Sequence, residues 1–376
     1  VMFAAALLYL AVRKHVLGSS LVSYHRFTQG AEQAVALSFS ILGHYVYKLV
    51  FPFRLNAESD FPPPAHLWNV YAIIGIGIFA GVCYATYRWR RHSAMVFGVA
   101  VIGLGLAPVL NVVPINQILA ERFLYFPSLG FCLLLALAAV SLRRRWRLAT
   151  TIMVALLLAA YSVRTVVGTR DWKDDLTLFT RTVALSGNNA RARASLGGSL
   201  YNLGRYDDAL NQYHFAVRLN PSYALGWSGL ARTEGKLGHM QEALNDMQRA
   251  IDIEPESATY YHSLGLLQFQ ARDYMSAIGS FRTALQLRPR HLQARFNLGL
   301  ALYQIGDFGG AVREFTALEN KDTDFPNAYF FTAESEVRRG NADAAVEAAR
   351  HFLAVHTGDD ALTTRARQIV ASGGTP

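Results

Sequence analysis

Long apolar runs fill the first half of the chain and limit what it can fold into. A helix that crosses the hydrocarbon core of a membrane needs about 20 predominantly apolar residues. Because hydrocarbon offers no partner for a free backbone amide, such runs are expected to be helices. They lie near residues 1–12, 31–51, 67–87, 94–113, 123–142 and 148–168. The pattern predicts a polytopic transmembrane helix bundle over residues 1–168.

Basic residues are concentrated in this apolar half. Residues 1–189 carry 17 Lys and Arg against 7 Asp and Glu, whereas residues 190–376 carry 19 against 20. A basic chain often binds nucleic acid, but here the basic residues cluster at the ends of apolar runs, where positive charge sets membrane orientation. We therefore exclude nucleic acid as a partner.

The basic clusters predict the orientation of the bundle. "RWRRH" (88–92) and "RRRWR" (143–147) are expected to be cytoplasmic, because Lys and Arg are enriched in short cytoplasmic loops. This places residues 51–64, residues 114–122 and the whole chain after residue 168 on the outer face. The topology of residues 13–30 stays open.

The sequence carries no motif of a soluble enzyme. The two cysteines, Cys83 and Cys132, both lie inside apolar runs, so neither a disulfide nor a metal site is predicted. No Ser-His-Asp order, phosphate-binding Gly-rich loop or metal-ligand spacing occurs. The chain begins at Val1, already inside an apolar segment, and we interpret it as a fragment that is inactive alone.

A 34-residue period organises the second half. It is marked by Gly204, Gly238, Gly306 and Gly340, and Arg272 occupies the equivalent position between Gly238 and Gly306. Small residues recur five positions later, at Ala209, Ala243, Ala277, Ala311 and Ala345. This pattern resembles the tetratricopeptide repeat, in which two antiparallel helices pack closely. Five repeats are predicted, over residues 190–223, 224–257, 258–291, 292–325 and 326–359.

These repeats predict an extramembrane α-solenoid with a concave face, preceded by a juxtamembrane helix (169–189) and followed by a C-terminal tail (360–376). An aromatic and polar ladder on the first helices suits an extended peptide, because aromatics stack on it and amides pair with its backbone. The candidate groove residues are Tyr201, Asn202, Lys236, Phe269, Gln270, Tyr303, Gln304 and Arg338. Alternatively, the three aromatics pack between helices, and one side chain can do both.

A polar group stands directly before the apolar run at residues 123–142. Glu121 and Arg122 precede it, and Tyr125 follows one turn later. On physical grounds alone, an arginine beside a tyrosine at the membrane surface is an interfacial anchor. A guanidinium at that level also has the geometry to grip a phosphate through two hydrogen bonds.

Three segments carry a resemblance to a known family: "AERFLYFPSLGF", "YVYKLVFPFRLNAESDF" and "RDWKDDLTLFTRTVALSGNNARARASLG". They resemble the transmembrane and tetratricopeptide-repeat O-mannosyltransferases and their bacterial relatives. The resemblance implies the C-terminal part of a C-type glycosyltransferase fold. It also implies transfer of a sugar from a polyprenyl-phosphate donor to Ser or Thr of an acceptor polypeptide. The expected sugar is mannose, and no metal or cofactor is expected.

The resemblance also gives roles to residues near the outer face. Arg122 would hold the lipid phosphate, supported by Glu121 and Tyr125. The family's catalytic acidic residues lie in the first outer loop, which precedes Val1, so the catalytic base is left unassigned. Glu58 and Asp60 are the other outer-loop carboxylates, and they are possible acidic site residues only.

Two rival functions follow from the same residues. The chain could be a membrane-anchored scaffold whose repeats bind partner proteins without catalysis, although at least five spans exceed what an anchor needs. It could also be a glycosyltransferase acting on a lipid-linked glycan. Only five of the 36 basic residues are lysine, which is typical of a GC-rich bacterial genome. We favour a multi-pass bacterial plasma-membrane protein with periplasmic repeats; a luminal location in the endoplasmic reticulum has the same topology.

Overall fold

The computed structural model describes residues 31–51, 68–110, 121–143, 146–319, 325–356, 358 and 360–375. These described residues form helices and turns, without a β-strand among them. The chain divides into two compact units, Val1–Ala192 and Arg193–Pro376. The predicted all-α class, with apolar helices followed by tetratricopeptide repeats, is confirmed.

Six helices are described before the repeats. They are α1 (Ala31–Val50), α2 (Val70–Arg88), α3 (Ser93–Leu106), α4 (Tyr125–Arg143), α5 (Arg147–Thr169) and α6 (Asp175–Leu185). Single 3-10 turns lie at Ala107–Val109, Glu121–Leu124 and Arg170–Trp172. By length and composition, α2, α4 and the segment Arg147–Trp172 are candidate membrane spans.

Two of the predicted spans form shorter apolar helices. The apolar part of α1 is Val35–Val50, and α3 ends at Leu106 after 14 residues. At 1.5 Å per residue, α3 is about 21 Å long, less than the hydrocarbon thickness of about 30 Å. Pro108 has no amide hydrogen to continue the helical hydrogen bonds, and the chain turns there into a 3-10 segment. Within the predicted span over residues 94–113, the helix therefore ends at Leu106, and residues 111–113 lie outside the described residues.

Glycines bring the apolar helices close together. A Cβ atom added at Gly98 of α3 would lie 2.9 Å from Cδ2 of Leu134 in α4. A Cβ atom added at Gly105 would lie 2.8 Å from Cδ1 of Phe126. Small residues of this kind let helix backbones approach each other where the surrounding solvent is lipid. Large apolar side chains remain exposed along α2, α4 and α5, as expected for membrane association.

From Ala190 onward, the chain consists of helix pairs. The first helices are α7 (Ala190–Asn202), α9 (Ala224–Leu237), α11 (Ala258–Gln270), α13 (Leu292–Gln304) and α15 (Pro326–Arg339). The second helices are α8 (Tyr206–Leu219), α10 (Met240–Ile253), α12 (Tyr274–Leu287), α14 (Phe308–Glu319) and α16 (Ala342–Val355). Each first helix begins at the first residue of a predicted repeat.

The core of each pair is made by small residues and rings. The five alanines of the 34-residue period are fully buried on the second helices. On three second helices, the rings of Tyr213, Phe281 and Phe315 press against a first-helix glycine, which is Gly197, Gly265 or Gly299. A larger residue at the glycine would displace the ring, so the close packing of the pair depends on both partners.

A left-handed residue connects the two helices of every repeat. Gly204, Gly238, Gly306 and Gly340 have φ between 75° and 88°, and Arg272 has φ 62°. Only glycine adopts this conformation without a steric penalty, which amounts to about 1–2 kcal/mol for other residues. The third repeat therefore carries strain that the other four avoid.

Replacing Arg272 with glycine is expected to raise the free energy of unfolding by about 0.5–1 kcal/mol, because relief of this strain exceeds the entropy that glycine loses on folding. Urea unfolding, followed by circular dichroism, measures the change. Gly238→Ala is the converse variant and should lower stability by about 1 kcal/mol. An Arg272→Gly variant with unchanged or reduced stability would contradict the assignment of strain.

The segment predicted as a C-terminal tail forms one more helix, α17 (Ala361–Ala371). Ala366 and Ile369 are fully buried in a cluster with Phe352 and Ala345 of α16. This helix covers the apolar face that the fifth repeat would otherwise expose, as a terminal repeat requires. The description of residues 360–376 as a tail is corrected: most of it is a capping helix.

Candidate functional site

The first helices of the repeats form a groove. Neighbouring first helices contact one another, α9 with α11, α11 with α13, and α13 with α15, more extensively than neighbouring second helices do. The array therefore curves towards its first helices, whose exposed faces line the inner side. We call this inner face, from Tyr201 to Arg338, the groove.

The three predicted groove aromatics are half-buried, and each packs on the second helix of its own repeat. Each ring contacts, edge to face, the aromatic residue five positions later, at the start of the second helix. The pairs are Tyr201–Tyr206 (5.3 Å between ring centroids), Phe269–Tyr274 (5.1 Å) and Tyr303–Phe308 (5.4 Å). These contacts are of the kind that the alternative interpretation, packing between helices, describes. Each of the three residues is still partly exposed.

The predicted amides differ in what they contact. Gln270 Nε2 donates a hydrogen bond of 2.9 Å to the carbonyl oxygen of Gly235 in the preceding repeat. Gln270 therefore joins two repeats, and this exposed residue keeps its Oε1 and a second Nε2 hydrogen for a ligand. Asn202 and Gln304 are exposed at the ends of their helices.

Positive charge is concentrated on α9. Arg232 and Lys236 are one helical turn apart, so they share a face, and both are exposed. The Arg232 guanidinium carbon lies 4.7 Å from the ring centre of Tyr201, a cation–π contact between the first two repeats. Arg232 was not among the predicted groove residues, although its spacing of four from Lys236 could have identified it.

A buried carboxyl group lies in the same helix. Glu234 is 6% exposed, and its Oε2 has no hydrogen-bond partner among the described residues. Burial first, and then the nearby carboxylates of Asp246 and Glu242, raise the pKa of Glu234 to about 7, against the opposite effect of Arg249. Burial also raises the pKa of Asp246, against the opposite effect of Arg249. With its pKa raised to about 7, Glu234 takes up a proton near neutral pH.

The shifted pKa of Glu234 predicts a pH-dependent stability. Its folded pKa of about 7 lies above the ordinary 4.5, so the folded state binds the proton more tightly. This stabilisation is complete below pH 4.5 and is lost as the pH rises through 7. After allowing for solvent screening, we expect a loss of about 1–2 kcal/mol between pH 5 and pH 8.

Chemical unfolding at several pH values tests this expectation with Glu234→Gln. The variant should lose less stability than the wild type over this pH range. Glutamine occupies the equivalent position in the third repeat, where Gln268 Oε1 accepts a bond of 2.6 Å from Ser280 Oγ, so the substitution suits the fold. Parallel profiles for the two proteins would show that Glu234 does not titrate in this range.

A histidine pair in the third repeat was not predicted. The rings of His262 and His291 lie 4.7 Å apart, and Asn297 Nδ2 is 2.9 Å from His262 Nε2. Burial, and then the charge of His291, lower the pKa of His262 to about 4. Across the described residues, no cluster of three or more His, Cys, Asp or Glu could hold a metal ion.

The membrane-side candidates are only partly described. The backbones of Glu121 and Arg122 form the 3-10 turn that leads directly into α4. Tyr125, the first residue of α4, is 77% exposed. The side chains of Glu121 and Arg122, and the whole of Glu58 and Asp60, lie outside the described residues. Their assigned roles stay predictions.

Comparison with known proteins bears on the repeats and on the family that the sequence resembles. The tetratricopeptide repeat family matches residues 195–258 and 262–325. The protein O-mannosyl-transferase Tmtc2 of Drosophila melanogaster is 33% identical over 140 residues, covering 36% of this chain and 15% of the relative. The human protein O-mannosyl-transferase TMTC3 is 22% identical over 237 residues, covering 59% of this chain and 26% of the relative.

The chain thus spans between 15% and 26% of the length of these two relatives. Among solved structures, YrrB, a TPR protein with an unusual peptide-binding site, matches with a TM-score of 0.43 and 20% identity, covering 50% of this chain and 97% of its own. The homologues of the chain are therefore protein O-mannosyl-transferases, in agreement with the family that the sequence resembles, and its second half contains tetratricopeptide repeats.

Proposed function

We propose that the full-length protein is a membrane-bound protein O-mannosyl-transferase. It takes mannose from a polyprenyl-phosphate donor and transfers it to Ser or Thr of polypeptides on the outer face of the membrane, where the repeats bind the acceptor. We place it in a bacterial plasma membrane with periplasmic repeats, in line with the arginine-rich composition.

The main support for this proposal is how much of the chain is similar to human TMTC3. The match covers 59% of the chain, whereas residues 190–376, which contain all the repeats, make up half of it. The similarity therefore reaches into the residues before the repeats. Tetratricopeptide repeats occur in many unrelated proteins, so similarity confined to them would say little about catalysis.

The proposed reaction replaces one bond to the sugar with another. The bond between C1 of mannose and the phosphate oxygen breaks, and C1 bonds to the acceptor hydroxyl oxygen. A carboxylate takes the hydroxyl proton, and a cation neutralises the polyprenyl phosphate that leaves. In our proposal Arg122 is this cation. It lies one turn before the exposed Tyr125, which is the first residue of the candidate span α4.

Transfer by the purified full-length protein in proteoliposomes tests the proposal. The donor is polyprenyl phosphate carrying radiolabelled mannose, and the acceptor is a peptide containing Ser and Thr. Matched controls use a peptide with alanine at those positions and a nucleotide-linked mannose donor. Label that enters only the hydroxyl-bearing peptide, only from the lipid donor, supports the proposal. Binding of the peptide without transfer from any donor would favour the scaffold function instead.

A further inference from the structure

Charge is divided unequally between the two helices of the repeats. The first helices of repeats one to four carry five basic residues and one acidic residue, the buried Glu234. The second helices of the same repeats carry seven acidic and four basic residues. The inner face of the array is therefore positive relative to its outer face, which attracts negatively charged ligands to the groove.

Over the first four repeats, the positive charge available in the groove lies on the second repeat; Arg338 of the fifth repeat is also exposed. Arg193 and Arg295 have partners within their repeats: Arg193 bonds to Gln212, and Arg295 bonds to Glu314. Lys236 makes no ion pair with any residue in the described part of the chain. Arg232 rests its guanidinium face on Tyr201, an arrangement that holds the group in place and leaves its N–H edge free to donate.

Uncharged residues surround this charged pair. Leu225 lies two turns before Arg232 on the same face of α9 and is exposed. The next first helix, α11, has no Asp, Glu, Lys or Arg, and it exposes Leu266 and Gln270. A ligand that spans both repeats therefore meets two positive groups and then apolar and amide groups.

We propose that the groove over repeats two and three binds an extended peptide segment rich in Asp and Glu. Its carboxylates bind Arg232 and Lys236, its apolar side chains contact Leu225 and Leu266, and its backbone bonds to the Gln270 Oε1. Charge complementarity selects an acidic ligand, and the neighbouring apolar and amide groups suit a polypeptide chain. That this peptide is part of the mannose acceptor rests on the proposed function, whereas its binding does not.

Fluorescence anisotropy with the purified full-length protein measures the binding. The probes are a labelled ten-residue peptide with four Asp or Glu and the same peptide with Asn or Gln in their place. The acidic peptide should bind at least about tenfold more tightly at low salt, and added salt should reduce this preference. Equal binding of both peptides, or binding of neither, would overturn the proposal.

Two double variants localise the contact. Arg232→Gln with Lys236→Gln should weaken binding of the acidic peptide about tenfold and leave the neutral peptide unaffected. Arg282→Gln with Arg313→Gln removes the same charge from exposed positions of the second helices and should change neither affinity. Lys236→Gln alone leaves the Arg232–Tyr201 contact intact and should lower the affinity for the acidic peptide about threefold. This single variant keeps the test valid if the double variant does not fold.

The outcomes separate this inference from the proposed function. Equal weakening in the two double variants would mean that net charge, rather than the groove, attracts the peptide, and would overturn the inference. Mannosyl transfer with no preference for acidic acceptors would overturn the assignment of this peptide to the mannose acceptor, while leaving both its binding and the proposed function intact. Tight, groove-dependent binding without any transfer would support the inference and contradict the enzyme.

Discussion

Replacing Arg122 with alanine in the full-length protein lowers mannosyl transfer by about 100-fold in our proposal, equivalent to about 2.7 kcal/mol of transition-state stabilisation. The physical reason is that negative charge develops on the departing phosphate at the membrane surface. A guanidinium binds two phosphate oxygens at once, and the low dielectric of the interface strengthens this interaction. The rate of label transfer from lipid-linked mannose, at saturating donor, measures the effect.

Two further variants separate chemistry from anchoring. Arg122→Lys keeps the charge but loses the paired hydrogen bonds, so its rate should lie between those of the wild type and Arg122→Ala. Arg143→Ala removes an exposed arginine from the last turn of the same helix, α4, and should leave the rate unchanged. If Arg143→Ala and Arg122→Ala behave alike, with both proteins inserted and folded, Arg122 is an interfacial anchor and the proposed phosphate contact is wrong.

Replacing Phe315 with alanine is expected to lower the free energy of unfolding of the repeats by about 3–5 kcal/mol. Phe315 is fully buried. Its ring stacks on Phe331 of the next repeat at 5.7 Å and contacts Phe296 of its own repeat at 5.6 Å. Truncation therefore opens a cavity where the fourth and fifth repeats meet, and chemical unfolding followed by circular dichroism measures the cost.

Phe215→Ala is the matched control for this prediction. Phe215 also lies on a second helix, but it is 41% exposed and contacts the guanidinium groups of Arg193 and Arg218. Its truncation should cost about 1 kcal/mol or less. Because each repeat is stabilised by its neighbours, Phe315→Ala should also broaden the unfolding transition. Similar costs for the two variants would contradict the assignment of Phe315 to the inter-repeat core.

The repeat architecture was predictable because a few positions specify it physically. A left-handed residue must connect the helices, and a small residue must sit where they approach, so Gly204 and Ala209 and their equivalents recur every 34 residues. The capping helix α17 lies outside this period. It needs only an apolar face, as Ala366 and Ile369 provide, and such a face is common in any sequence.

The roles of individual side chains were harder to predict. A ring such as Phe269 is equally suited to a ligand and to a neighbouring helix, and its contact with Tyr274 depends on how the intervening turn folds. The burial of Glu234 is likewise set by tertiary packing, since the same position is glutamine in the next repeat. The apolar run at residues 94–113 suggested a full span because hydropathy averages over Pro108, whereas the helix ends beside it.

The central claim is that the full-length protein attaches mannose to Ser and Thr of outer-face polypeptides. Mass spectrometry of outer-face proteins, from cells with and without the full-length protein, tests it most directly. The account predicts hexose on specific Ser and Thr residues in the first cells and its loss in the second, with restoration by wild-type protein but not by Arg122→Ala. Identical modification in both cell types would contradict the claim.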